Sequence, residues 1–238
     1  MFCLFQTNPN LSVNSILVQD SVKNQSLGAA SAFAIRYYLS SNTSYDAADR
    51  LLCSRNIASL AAGASNPAIS TSTILTICSI PTSLKGSYYV LAVVDTANVV
   101  VETNETNNNR STLTPLLIGP DLLPLSIGVS KSGSTLTLTY ALKNQGTQAA
   151  GSFFISYYLS SDSLYQSTDR LLCSRSLIGL GAGISSPAVG VATTACTIPS
   201  VLAAGAYRVL MRLDSGLTVL ETNEGNNVKA TAVTVSVP

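Results

Sequence analysis

GSFFISYYLSSDSLYQSTDRLLCSRSLIGLGAG, residues 151–183, carries the pattern that decides the fold. Phe153, Ile155, Tyr157 and Leu159 fall on every second position, the period of a strand that buries one face. A polar stretch, Ser161 to Asp169, follows, and Gly181-Ala182-Gly183 ends the segment as a turn. Residues 31–63 read SAFAIRYYLSSNTSYDAADRLLCSRNIASLAAG and are identical at 18 of the 33 positions, including the unbroken run Asp49–Arg55 against Asp169–Arg175. Phe33, Ile35, Tyr37 and Leu39 repeat the inward row.

The match keeps its register outward in both directions. Lys23-Asn24-Gln25 corresponds to Lys143-Asn144-Gln145, and Glu102-Thr103-Asn104-Glu105 to Glu221-Thr222-Asn223-Glu224. A period of about 120 residues is the size of a self-sufficient domain rather than of a solenoid unit. The chain therefore divides into 1–118 and 119–238, with the boundary at Gly119-Pro120. If Pro9-Asn10-Leu11 is the counterpart of Pro120-Asp121-Leu122, the first copy is shortened at its N-terminus and lacks most of its first hairpin.

Further strand rows follow the same rule. Leu136, Leu138, Tyr140 and Leu142 form one; Tyr207, Val209, Met211 and Leu213 form another, with Arg208 and Arg212 outward; Val233, Val235 and Val237 close the second copy. Turn residues separate them at Lys131–Ser134, Asn144–Gly146 and Asp214–Gly216. No stretch carries a helical apolar stripe of useful length. About seven short strands per copy predict an all-β chain of two tandem immunoglobulin-like sandwiches.

Composition narrows the function classes. Charged residues are 11% of the chain and the net charge is +1, which gives no electrostatic footprint for nucleic acid. No apolar run approaches the roughly 20 residues of a spanning helix, so no membrane insertion is expected. The start, Met1 to Phe5, is too short for a signal peptide and has no basic residue; it reads as the remnant of a trimmed or truncated N-terminus. The absence of histidine removes Ser–His and Cys–His catalysis and His-ligated zinc. No Gly-x-Ser-x-Gly elbow is present either.

Cys53 and Cys78 are 25 apart, Cys173 and Cys196 are 23 apart, and the pairs occupy equivalent places in the two copies. Two intra-domain disulfides account for this, and imply an oxidising compartment; four buried thiols fit the same spacing. Cys3 is left over.

These residues resemble the CARDB family, the cell adhesion related domain found in bacteria. The resemblance rests on Pro120-Asp121-Leu122, Asn144-Gln145-Gly146, Tyr158-Leu159-Ser160, Asp169, Leu180–Gly183, Gly205, Tyr207 and Asp214, and the closing Glu-x-Asn-Glu-x-Asn-Asn from Glu221 to Asn227. The first copy has Asn10 in place of the Asp and Ser26 in place of the Gly. The resemblance implies an immunoglobulin-like sandwich in exported or surface proteins of prokaryotes, without catalytic activity.

The densest sets of oxygen ligands are Asp95, Glu102, Asn104, Glu105, Asn107 and Asn108 in the first copy, and Asp214, Glu221, Asn223, Glu224, Asn226 and Asn227 in the second. They are expected to be structural corners, since Asn and Asp bond nearby backbone; calcium, which takes such oxygens, is the alternative. The loops Ser41–Asp49 and Ser161–Asp169 are expected to be plain connections, and Tyr38 and Tyr158 exposed strand aromatics with cross-strand partners. The expectation is a non-catalytic structural or adhesive module, extracellular or on the cell surface, with no cofactor. Its partners would be other domains of the parent protein, surface proteins or glycans. A carbohydrate- or calcium-binding accessory domain of a secreted enzyme is the alternative.

Overall fold

A computed structural model describes residues 2–5, 10–12, 14–68 and 75–237. It divides the chain into two compact units, 1–118 and 119–238. Unit 1 contains β1 (Phe2–Phe5), β2 (Asn10–Ser12), β3 (Ser15–Lys23), β4 (Phe33–Ser40), β5 (Arg50–Ile57), β6 (Ser65–Asn66), β7 (Leu75–Ser79), β8 (Gly86–Val94), β9 (Asn109–Ser111) and β10 (Leu116–Ile118). Its first sheet is built on β3, which pairs with β1 and β2 along one edge and with β6 and β7 along the other. The second runs β5-β4-β8, with β9 and β10 sharing the far edge of β8. All pairings are antiparallel. Counting split strands once gives three strands facing four.

Unit 2 repeats this with β11 (Leu122–Ser132), β12 (Thr135–Asn144), β13 (Phe153–Ser160), β14 (Arg170–Leu177), β15 (Ser185–Ser186), β16 (Ala192–Thr197), β17 (Gly205–Leu213), β18 (Val228–Ala230) and β19 (Val235–Val237). β12 lies between β11 and the pair β15 and β16; β13 and β17 form the centre of the facing sheet.

The period-two rows form the cores. Leu136, Leu138, Tyr140 and Leu142 from one sheet meet Phe153, Ile155, Tyr157 and Leu159 from the other, all buried. Ile16, Val18 and Val22 meet Phe33, Ile35, Tyr37 and Leu39 in unit 1. Val235 and Val237 are buried, but Val233 lies outside β19 and is exposed. The alternation continues in sequence past the point where strand pairing stops, so Val233 does not belong to the closing row.

Disulfides join Cys53 to Cys78 and Cys173 to Cys196. Each ties an edge strand of one sheet (β5, β14) to an edge strand of the other (β7, β16). Closing loops of this length removes about 3–4 kcal/mol of unfolded-chain entropy in the loop-entropy model. The side chain of Cys3 and all of Pro9 lie outside the described residues.

The expected loss of the first hairpin is corrected. Phe2 pairs with Lys23 as Leu123 pairs with Lys143, and Ser12 pairs with Ser15 as Ser132 pairs with Thr135. Unit 1 therefore has both ends of that hairpin, and Asn10 lies within its second half. Pro9-Asn10-Leu11 is not the counterpart of Pro120-Asp121-Leu122.

One paired position of the two cores is charged in unit 1 and aromatic in unit 2. In unit 1 the Asp20 side chain is fully buried; Tyr37 Oη donates to its Oδ1 at 2.6 Å and Arg55 Nη2 to its Oδ2 at 2.5 Å. Burial, reinforced by Asp20, raises the Tyr37 phenol well above its ordinary range. In unit 2 Tyr140 stands in this place. The Arg175 guanidinium donates to its hydroxyl and lies over its ring, 5.4 Å from the centroid, and Tyr157 packs at 5.8 Å. Asp20→Ala would leave Arg55 buried without its carboxylate. Removing one partner of a buried pair costs about 3–5 kcal/mol. Chemical denaturation should show unit 1 destabilised by that order and unit 2 unchanged. A loss below about 1 kcal/mol would show that Asn66, which also accepts from Arg55, suffices.

Candidate functional site

The two acidic-amide corners sit where a core strand ends. β8 and β17 stop at Asp95 and Asp214, both buried and both with positive φ, 49° and 41°. The left-handed turn lets each carboxylate face its own downstream backbone. Asp95 accepts from Val99 N (3.1 Å) and Val100 N (2.8 Å). Asp214 accepts from Thr218 N (3.0 Å) and Val219 N (2.8 Å).

The Glu-x-Asn-Glu-x-Asn-Asn stretch then folds on itself. Glu105 Oε1 accepts from Glu102 N at 3.0 Å, and Glu224 Oε1 from Glu221 N at 3.1 Å. Asn104 caps Thr106 N and Asn223 caps Gly225 N. The buried Asn108 donates to Glu102 and Glu105, each at 3.1 Å; the buried Asn227 donates to Glu221 at 2.8 Å. Their backbone carbonyls return the chain to the sheet, accepting from Val94 N and Leu213 N. The Oδ1 atoms of Asn108 and Asn227 are buried without a hydrogen-bond partner among the described residues. Carboxylate oxygens of Asp95, Glu105, Asp214 and Glu224 thus face N–H donors, a poor arrangement for a cation. Among the described residues no three His, Cys, Asp or Glu side chains converge as a metal site.

One role of this corner escapes a motif-by-motif reading of the sequence. In unit 2 it holds the segment Gly119-Pro120-Asp121 that leads into β11. Pro120 O accepts from Thr222 N (2.9 Å), and Asp121 Oδ1 from Asn226 (2.7 Å). Glu221 accepts from Leu122 N. From the opposite side Gln145 N donates to Asp121 O (2.8 Å), Gln145 Nε2 to Asp121 Oδ2 (2.9 Å), and Asp121 N to Asn144 Oδ1 (3.0 Å). A Cβ on Gly146 would overlap Gly119 O and the Asp121 and Pro120 backbone. Asn226, Gln145 and Gly146 are therefore a seat for one extended segment, brought together from turns some 80 residues apart in sequence (Gln145 to Asn226). The signal available beforehand was that Pro-Asp-Leu, Asn-Gln-Gly and the closing motif occur together.

The long loops are turns braced by their own side chains: Asn42 and Asp162 cap Ser44 N and Leu164 N, while Asp49 and Asp169 accept from Asp46 N and Gln166 N. Tyr38 is buried rather than exposed, and its aromatic partner is not on a neighbouring strand. The loop residue Tyr45 covers it with ring centroids 4.8 Å apart. Tyr158 is half-buried against Tyr165 at 4.9 Å, and Arg212 lies over the Tyr165 ring. Each loop thus folds back onto the outer face of its sheet.

Desolvation pushes the half-buried Glu221 carboxyl up to about 7; its bonds from Leu122 N and Asn227 oppose the rise, and Glu224 and Asp214 add to it. A carboxyl with a raised folded-state pKa binds more protons folded than unfolded between about pH 4.5 and 7. Unit 2 should therefore lose stability as pH rises through that window, and Glu221→Gln should flatten the slope in a melting series. An equal slope in both proteins would remove Glu221 as its source. Asn226→Ala should lower the stability of unit 2 by about 1–3 kcal/mol through loss of the Asp121 bond, to the same extent with calcium or with chelator.

The CARDB family model matches residues 6–112 and 119–231. A CARDB domain from Pyrococcus furiosus, solved in complex with di-metal ions, is 24% identical over 50% of this chain and 90% of its own, with a TM-score of 0.36. A domain of a candidate cell surface protein from Methanosarcina acetivorans is 20% identical over 51% of this chain and 94% of its own, with a TM-score of 0.37. Red sea bream transglutaminase aligns with 97% of this chain and 31% of its own at 12% identity, with a TM-score of 0.40. No curated protein matches the sequence. The two matches of the family model cover most of both sandwiches: the chain belongs to the CARDB family and carries two such domains in tandem.

Proposed function

We propose that the chain is a non-catalytic structural or adhesive segment of an exported or cell-surface prokaryotic protein. The observation that carries this reading is how the polar side chains are used. The hydrogen bonds described for the acidic and amide residues of the corners close turns and, in unit 2, seat the segment that leads into β11. Two disulfides, one per unit, support an oxidising location. Among the described residues no helix is long and apolar enough to cross a membrane. The name of the Methanosarcina protein agrees with a surface location. On this reading the chain has no cofactor, and its partners are neighbouring domains of the parent protein or other surface molecules.

The reading is tested by a glycan array and a calcium titration followed by calorimetry. The expected result is no saturable binding of either, with unchanged melting in chelator. Saturable binding of a sugar, or a melting temperature that falls in chelator, would replace it with an accessory ligand-binding role.

A further inference from the structure

Unit 1 carries five Asn-x-Ser/Thr triplets, at Asn10, Asn24, Asn42, Asn104 and Asn109, and unit 2 carries none. The triplet is the acceptor pattern for transfer of an oligosaccharide to an asparagine amide in an exported chain. In a sequence rich in Asn, Ser and Thr the pattern alone is not specific, so the surroundings of each asparagine matter. Asn24 is buried, and its Nδ2 donates to Gly28 O and Leu60 O. Asn109 lies in β9, whose backbone is paired with β8. Asn104 is exposed, but the Thr106 hydroxyl already donates to its Oδ1 at 2.7 Å. The side chain of Asn10 lies outside the described residues.

Asn42 differs from these. It is exposed, as are Thr43 and Ser44, in the loop between β4 and β5. Its Oδ1 accepts from Ser44 N at 2.7 Å. Its Nδ2 and the Ser44 hydroxyl have no hydrogen-bond partner among the described residues. Unit 2 shows that the turn needs neither group. There Asp162 stands for Asn42 and Leu164 for Ser44, and Asp162 Oδ1 accepts from Leu164 N at the same 2.7 Å. The backbone N–H of residue 42 donates to Ser40 Oγ at 3.2 Å, and that of residue 162 to Ser160 Oγ at 3.3 Å. The same turn is therefore built without a side-chain amide or a hydroxyl, and unit 1 presents both to solvent.

We propose that Asn42 is an acceptor site for an N-linked glycan. The inference rests on the reading of the chain as exported, because the transfer takes place outside the cytoplasm. The donor class is an oligosaccharide held through its anomeric carbon on the phosphate of a membrane lipid, and a transferase catalyses the step. A bond forms between the anomeric carbon and Nδ2 as the bond from that carbon to the phosphate oxygen breaks. The phosphate leaves with the electron pair, and one of the two Nδ2 protons passes to a base of the transferase. The product keeps Oδ1, so Ser44 N keeps its acceptor and the turn stands.

The test is made on the full chain purified from the cells that produce it. It is digested with trypsin without reduction, and the peptide of residues 37–50 is mapped by mass spectrometry beside the peptides that contain Cys53 and Cys78. The expected result is sugar mass on Asn42, none on Asn24, and a linked Cys53–Cys78 pair. Ser44→Ala and Asn42→Asp, which reproduce features of the unit 2 turn, should each abolish the sugar on this peptide with unchanged melting of the protein. A bare Asn42 in a chain whose cysteines are linked overturns the proposal and leaves the exported reading standing. A bare Asn42 with free thiols overturns both. Sugar that persists on the peptide in Ser44→Ala or Asn42→Asp overturns the proposal too, since attachment would then not depend on the triplet.

Discussion

A strand that leaves a sheet carries N–H groups away from their ladder partners, and a sandwich with few charged residues must satisfy them with whatever short polar side chains lie nearby. That constraint governs both units. Asp95 and Asp214 are buried, a costly position for a carboxylate unless it is fully bonded. Two backbone N–H groups beyond each strand end meet that requirement. The positive φ at both residues is what aims the carboxylate at its own chain, and Asp tolerates that conformation better than most residues. The downstream Glu-x-Asn-Glu turn depends on the placement of this first corner, and the return to β9 or β18 depends on the turn. The linker seat in unit 2 depends on the same turn again.

The two units act as a natural substitution pair on one frame. Where the frame needs a polar group beneath Arg55 or Arg175, unit 1 supplies a carboxylate and unit 2 a phenol with a π face. The exchange has a consequence. Tyr37 gains Asp20 as an acceptor, whereas the buried Tyr157 hydroxyl has no hydrogen-bond partner among the described residues. Burial alone then raises the Tyr157 phenol above its ordinary range. Unit 1 therefore holds a charged pair that is sensitive to losing either member, and unit 2 a stacked arrangement with one unmet hydroxyl.

Most of the fold was legible because period-two alternation reports which face is buried, and rows such as Phe153 to Leu159 lie in central strands covered on one side by the core. The errors fall where that signal says nothing. Val233 continues the alternation, but no residue pairs there, and pairing is a long-range property. Tyr38 reads as outward, and it is; the loop that covers it starts only a few residues later, and a strand pattern cannot foresee that it folds back. The first hairpin of unit 1 was misplaced because Pro-Asn-Leu matches Pro-Asp-Leu by eye. The hydrogen-bond register, which the sequence does not display, puts Phe2 where Leu123 belongs.

The corner residues were legible as a motif but not as a relation between segments. Asn226 and Gln145 look like independent turn residues in sequence, yet the side-chain bonds described for both go to Asp121. Their joint use appears only when the fold brings both to Asp121. That shared role explains why amides rather than carboxylates stand at these positions. An amide supplies the N–H donors that a carboxylate lacks, and Nδ2 of Asn226 and Nε2 of Gln145 both reach the Asp121 carboxylate. A carboxylate at either place would repel Asp121. An apolar residue would leave its oxygens facing nothing as the segment is drawn out of water. The seat thus selects for an acidic, extended segment through two amide donors, and Gly146 adds the close backbone approach that such a segment needs.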